Sequence, residues 1–129
     1  MVRGGNARRE TVSDLEFEVP LVPPSVNHYK VARRDGRYYV TGEAKKFKQA
    51  VGMCARFFSV YHSYYTVEII VTLGPGAKMD LDNAAKVVLD GLVENGQIHS
   101  DAAITRLVLT KRRGASGRTV IKISRGNDP

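Results

Sequence analysis

Apolar and acidic residues alternate along Leu15-Glu16-Phe17-Glu18-Val19, and this period of two predicts a half-buried strand. Pro20, Pro23 and Pro24 end it, so 22–29 is expected as a stiff, extended loop. Asp35-Gly36 is a turn dipeptide, with Arg37-Tyr38-Tyr39-Val40 as the returning arm of a hairpin. The period then changes. Ala44, Phe47, Ala50, Val51, Cys54, Ala55 and Phe58 recur at helical spacing, predicting a helix over 42–59 with Thr41 as its N-cap. Lys45, Lys46, Lys48 and Arg56 fall off that stripe. Gly52 lies on the helix, where it costs about 1 kcal/mol against alanine, so close packing on a strand is expected there.

Thr66 to Leu73 predicts a second strand, with Val67, Ile69, Val71 and Leu73 on one face and Ile70 on the other. Gly74-Pro75-Gly76 breaks it. A second helix follows, with Leu81, Ala85, Val88, Leu89 and Leu92 on its buried side, Asp82 as N-cap and Asn95-Gly96 as its stop. Ala103 to Lys111 and Thr119 to Ser124 predict two last strands, and Gly114-Ala115-Ser116-Gly117 is expected to join them as an antiparallel hairpin. This order of elements predicts an α+β fold: one small domain with a mixed β-sheet and two main helices packed mainly on one face. The unit from Thr66 to Lys111 is expected as a parallel strand-helix-strand crossover. Residues 1–14 are expected as a flexible basic tail, 15–125 as the folded domain and 126–129 as a C-terminal tail.

Composition narrows the class. At 129 residues the chain suits one core, and its hydrophobic share of 43% excludes wholesale disorder. No apolar run is long enough for a membrane-spanning helix, so no membrane partner is expected. Cys54 is the one cysteine, which excludes an internal disulfide and a cysteine-based zinc site and fits a reducing cytoplasm. It is expected as a small core residue, because it falls on the apolar stripe. A formal net charge of +7 favours an anionic partner, nucleic acid first.

Against that basic background stands an acidic cluster, Asp80-Leu81-Asp82-Asn83 with Lys86 four residues beyond Asp82. Residues two apart in extended backbone face the same way, roughly 6.5–7 Å apart, so Asp80 and Asp82 can converge on one cation. Asp82 also has a purely structural use as a helix cap. Asp101 follows nineteen positions after Asp82, just ahead of a predicted strand. Oxygen-only ligands favour Mg²⁺ or Mn²⁺ over zinc or copper. An EF-hand is excluded, because Ala85 and Gly91 stand where its glycine and glutamate belong. Lys86 can stabilise charge on a phosphoryl group or simply pair with Asp82 or Asp90 along the helix, and Asp90 is expected as its partner rather than as a metal ligand. His99 is expected as a surface turn residue. Lys30, Arg33, Arg34 and Arg37 in the first hairpin, Lys111, Arg112 and Arg113 near the last loop, and Asn27 are candidate DNA contacts.

Pro23-Pro24-Ser25-x-Asn27-x-Tyr29, Asp80-Leu81-Asp82-Asn83-x-x-Lys86-x-x-x-Asp90-x-Leu92 and Asp101 ahead of a strand together resemble the RusA family of Holliday junction resolvases, in order and spacing, from about Phe17 to Ile123. The resemblance implies an α+β homodimer that acts on four-way or branched DNA in the cytoplasm of a bacterial or phage-infected cell. It implies Mg²⁺, with Mn²⁺ as a possible substitute, held by Asp80, Asp82 and Asp101, and these three with Lys86 as the catalytic set. The implied activity is endonucleolytic: paired phosphodiester hydrolysis at crossover junctions in DNA recombination and repair. Family members often carry two successive acids where this chain has Ser100-Asp101, which leaves Asp101 as the single acid there. A non-catalytic, branched-DNA-binding dimer of the same fold is the alternative.

Overall fold

A computed structural model describes residues 9–24, 30–32, 38–40 and 42–129. In chain order the strands are β1 (Glu10–Val12), β2 (Leu15–Val19), β3 (Lys30–Ala32), β4 (Tyr38–Val40), β5 (Phe58–Val60), β6 (Tyr65–Leu73), β7 (Ile104–Arg113) and β8 (Arg118–Arg125). The helices are α1 (Gly42–Cys54) and α2 (Leu81–Glu94). The main sheet has the order β2-β8-β6-β7. Its β2–β8 and β8–β6 pairs are antiparallel, whereas β6 and β7 run parallel. This is the mixed α+β architecture the periodicity predicts.

The interior strand β6 shows why the pattern works. Val67, Ile69 and Val71 are fully buried on the helix side, beside Ile121 and Ile123 of β8. Phe47 and Val51 of α1 and Val88 and Leu92 of α2 close the same core. On the other face Ile70 is also buried. Covering both faces of a strand explains its near-continuous apolar run.

Four expectations are corrected. The last two strands do not pair: β6 lies between β7 and β8, and the 114–117 connection crosses the end of β6, where Gly114 N–H donates to Leu73 O at 2.9 Å. Alternation identifies strands but carries no information on which neighbours pair, and a short glycine loop spans one strand as readily as none. Helix α1 stops at Cys54 instead of running to Ser59. Phe58 N–H turns back to Ala55 O at 3.0 Å, and Phe58–Val60 becomes β5 by pairing with β1. Cys54 is therefore exposed at the helix end, and Phe58 leaves the buried stripe. Partial burial still pushes the Cys54 thiol pKa up, the opposite of what an activated thiolate needs. The third correction concerns the tails. Glu10–Val12, within the stretch expected to be flexible, forms β1. Gly126 is buried, with its N–H donating to Tyr64 O at 2.8 Å. Fourth, Lys48 is buried instead of lying off the stripe, and its ammonium donates to Glu94 at 2.7 Å.

The expected hairpin is present as the antiparallel β3–β4 pair. Its turn, the proposed cap Thr41 and the candidate DNA contacts Asn27, Arg33, Arg34 and Arg37 lie outside the described residues. Lys30 begins β3.

Candidate active site

The chain leaves β6 at Leu73, turns through 74–79 and enters α2 at the end of the sheet where β7 finishes. Two basic side chains of β7 fix that turn. The Lys111 ammonium donates to Met79 O at 3.0 Å, and Arg113 Nη1 donates to Gly74 O and Ala77 O, each at 2.7 Å. Met79 is buried, so the backbone just before the acidic cluster is held from both sides. Lys111 and Arg113 were singled out as DNA contacts. Sequence alone gave no sign that their tips also brace this loop.

The cap of α2 is Asp80, not Asp82. Asp80 has extended backbone (φ −85°, ψ 118°) but makes no side-chain cap hydrogen bond. Its Oδ2 accepts a long bond of 3.4 Å from Asn83 Nδ2. Asp82 lies in the first helical turn, and both aspartates are exposed. An N-cap carboxylate ordinarily turns inward to accept a backbone N–H. This one does not, which leaves the Asp80 carboxylate on the solvent side of the helix start. Asn83 is thus the residue that orients Asp80.

Lys86 stands one turn beyond Asp82, with its Nζ 4.0 Å from Asp90 Oδ2. Its side chain is 56% exposed, so the pair is worth at most about 0.3–0.5 kcal/mol and serves to place the ammonium rather than to hold the helix. Asp90 is thus a partner of Lys86, as expected.

Asp101 is elsewhere. It opens a short 3-10 turn, Asp101–Ala103, that leads into the start of β7. The start of β7 pairs with Tyr65 at the start of β6, whereas Asp80 follows the end of β6. The fourteen residues of α2 separate the two ends by about 20 Å. One chain therefore brings Asp80, Asp82 and Lys86 together and leaves Asp101 apart. Among the described residues no three acidic, histidine or cysteine side chains gather as a metal-binding group. The reason is topological: in a parallel crossover the end of the first strand and the start of the second lie at opposite ends of the strands.

His99 shares the Asp101 end. It is exposed, its ring lies 4.8 Å from Tyr61 and 5.3 Å from Tyr65, and its Nε2 is 3.0 Å from His62 O. This is a surface-turn role, as expected. No described helix is long and apolar enough to cross a membrane.

The donor set suits a hard cation. Mg²⁺ commonly takes one or two carboxylates and completes its shell with water and substrate phosphate oxygens. Two solvent-facing aspartates at a helix start, without sulfur or imidazole beside them, match that habit. Comparisons with known proteins identify the family. Residues 20–124 match the family model described as Endodeoxyribonuclease RusA. A crossover junction endodeoxyribonuclease rusA from Enterobacteria phage HK97 is 27% identical over 117 residues, spanning 88% of this chain and 96% of the relative. With the family model covering most of its length, the chain belongs to the RusA family of endodeoxyribonucleases.

Proposed function

We propose that this endodeoxyribonuclease uses Mg²⁺ to resolve four-way and related branched DNA, with Asp80 and Asp82 as metal ligands and Lys86 beside them. The observation that carries the reading is the outward Asp80 carboxylate. A helix cap that makes no side-chain cap bond, next to a second exposed aspartate, leaves two carboxylates free to take a cation from solvent. The name of the phage relative supports the junction substrate.

When bound, the cation supplies Lewis acidity: it polarises the scissile phosphate and makes a water more acidic. The other steps belong to the chain. Asp80 and Asp82 hold the cation and, with it, a phosphate at the helix start, where the α2 dipole also favours an anion. Asn83 orients Asp80. Lys86 offers its ammonium to charge developing on the phosphoryl oxygens, steadied by Asp90. Lys111 and Arg113 keep the 74–79 turn in place, and Arg112 beside them adds positive charge for the DNA backbone. Asp101 lies beyond reach of these groups within one chain, so its part in catalysis requires a second copy. A homodimer also matches two cuts to a junction with approximate two-fold symmetry.

Cleavage of a synthetic four-way junction tests the reading. Asp80→Asn and Asp82→Asn should each abolish nicking with Mg²⁺ or Mn²⁺ while retaining junction binding in EDTA. If both variants cut like the parent, the site assignment is wrong. If the parent binds junctions but never cuts, the protein is a binding dimer instead.

A further inference from the structure

A cavity of about 560 Å³, open to solvent, lies where β6 begins, at the far end of that strand from Asp80. The loop 61–64 forms one wall, and 125–128, the end of β8 and the segment after it, forms the other. Its volume is within the usual range of small-molecule sites. Asp80, Asp82 and Lys86 do not border it.

Tyr61, His62 and Tyr64 bring three aromatic rings to the loop wall. Tyr61 is 67% exposed, yet its ring is supported from behind. It rests 4.8 Å from the ring of His99, which rests 5.3 Å from the ring of fully buried Tyr65. A series of rings thus runs from the core outward and ends at Tyr61. The loop is fastened on several sides. His62 Nε2 is 2.8 Å from Ser13 O, His99 Nε2 is 3.0 Å from His62 O, and Gly126 N–H donates to Tyr64 O at 2.8 Å. The opposite wall is fixed too, because a Cβ on buried Gly126 would collide with the backbone of Tyr65. Walls held in place beforehand lower the ordering cost of binding.

The lining charges narrow the ligand. Arg125 and Asp128 supply one charge of each sign. A groove that tracks the DNA backbone needs unbalanced positive charge, so this cavity does not suit one. Aromatic rings with a small, balanced polar set suit a flat heterocycle. A base stacks on the rings, and Asn127 and Asp128 offer a donor and acceptors to its edge. Branched DNA supplies such bases, since a base that is already unpaired costs least to extrude. We propose that this cavity receives an unpaired nucleobase from the branch of the DNA substrate, stacked on Tyr61, with Arg125 on a neighbouring phosphate. The choice of DNA as ligand rests on the proposed function. The cavity adds a recognition step to the chemistry at α2: branched DNA is selected by a base that leaves the stack, and not by phosphate contacts alone.

Photo-cross-linking tests the site. One synthetic four-way junction carries an unpaired iodouracil at the branch, and a second carries the same base paired within an arm. With the whole chain bound in EDTA, irradiation should join the unpaired base to Tyr61 or Tyr64, read by mass spectrometry of the digested conjugate, and leave the paired base unjoined. A cross-link found only elsewhere in the chain overturns the site. Tyr61→Ala should bind the junction with the unpaired base about tenfold more weakly, the size of one lost base stack, and bind plain duplex as before. Tyr61→Phe keeps the ring and should restore binding. An abasic residue in place of the unpaired base should cost the parent the same factor and cost Tyr61→Ala nothing further. Equal losses on junction and duplex, or losses that add, also overturn the site. A protein that cross-links at the cavity but cuts no junction with Mg²⁺ loses the proposed function and keeps the site. One that cuts without that cross-link does the reverse.

Discussion

The two ends of α2 are built on opposite terms. At its C-terminus the helix is tied down by side-chain bonds and packing. Asn95 caps the helix and its Nδ2 donates to Lys48 O and to Gly91 O, both at 2.8 Å. Glu94 pairs with buried Lys48 at 2.7 Å, Gly96 takes a positive φ of 77°, and Gln97 and Ile98 are buried behind it. At its N-terminus the cap makes no side-chain bond to the helix backbone, and Asp82, Lys86 and Asp80 all face solvent. The fold is secured at one end of the helix, and the charged groups at the other end are left to meet a ligand. The helix dipole favours acidic groups at the N-terminal end, and a bound cation would relieve the repulsion between the two aspartates.

That contrast gives substitutions at the two ends different signatures. The largest effect belongs to the N-terminal end. Asp82→Asn should lower junction cleavage by more than about 10²-fold, since losing even an outer-shell partner of a metal typically costs 10–100-fold. Its melting temperature should move by less than a degree or two, because the side chain holds nothing else. A large fall in thermal stability would mean that Asp82 belongs to the fold.

Lys86→Ala should follow, lowering the rate by about 10²–10³-fold, the range for removing one preorganised group that stabilises transition-state charge. Asp90→Asn removes the charge 4.0 Å from the Lys86 ammonium and should cost about twofold. If Asp90→Asn were as damaging as Lys86→Ala in single-turnover kinetics, Asp90 would have to act directly.

The C-terminal end reverses the pattern. Asn95→Ala deletes two hydrogen bonds at a packed helix crossing and should destabilise by about 1–3 kcal/mol in chemical denaturation, with cleavage by the folded fraction unchanged. The neighbouring Gly52 shows how tight that crossing is: a Cβ on it would collide with Asn95 Oδ1. The sequence reading placed Gly52 against a strand. The close approach is real, but the neighbour is the cap of the other helix.

The same contrast accounts for what could be read beforehand. Period-two and period-3.6 patterns located β2, β6, β8 and α2, because each buries one continuous face and the pattern is local. The Asp80–Lys86 cluster was legible for the same reason: its members lie within two helical turns. What depends on distant pairing was not. Glu10–Val12 is too short to show alternation and exists as a strand through Phe58–Val60. Those residues in turn end α1 early. The separation of Asp101 from Asp80 follows from β7 running parallel beside β6, which no spacing along the chain records.

A modest effect is the most discriminating for the loop that presents the site. Lys111 and Arg113 stand where both DNA contact and loop bracing are open to them. Lys111→Met keeps the aliphatic stem and removes the bond to Met79 O. If the ammonium mainly binds phosphate, affinity for junction and for plain duplex should fall together, and the slope of log affinity against log salt should shrink by about one. If it mainly braces the turn, the salt slope should hold and kcat should drop severalfold, because Asp80 is then less firmly placed. We expect the second outcome. The 3.0 Å bond already turns the ammonium toward the loop, and the backbone it holds is the residue before the cap.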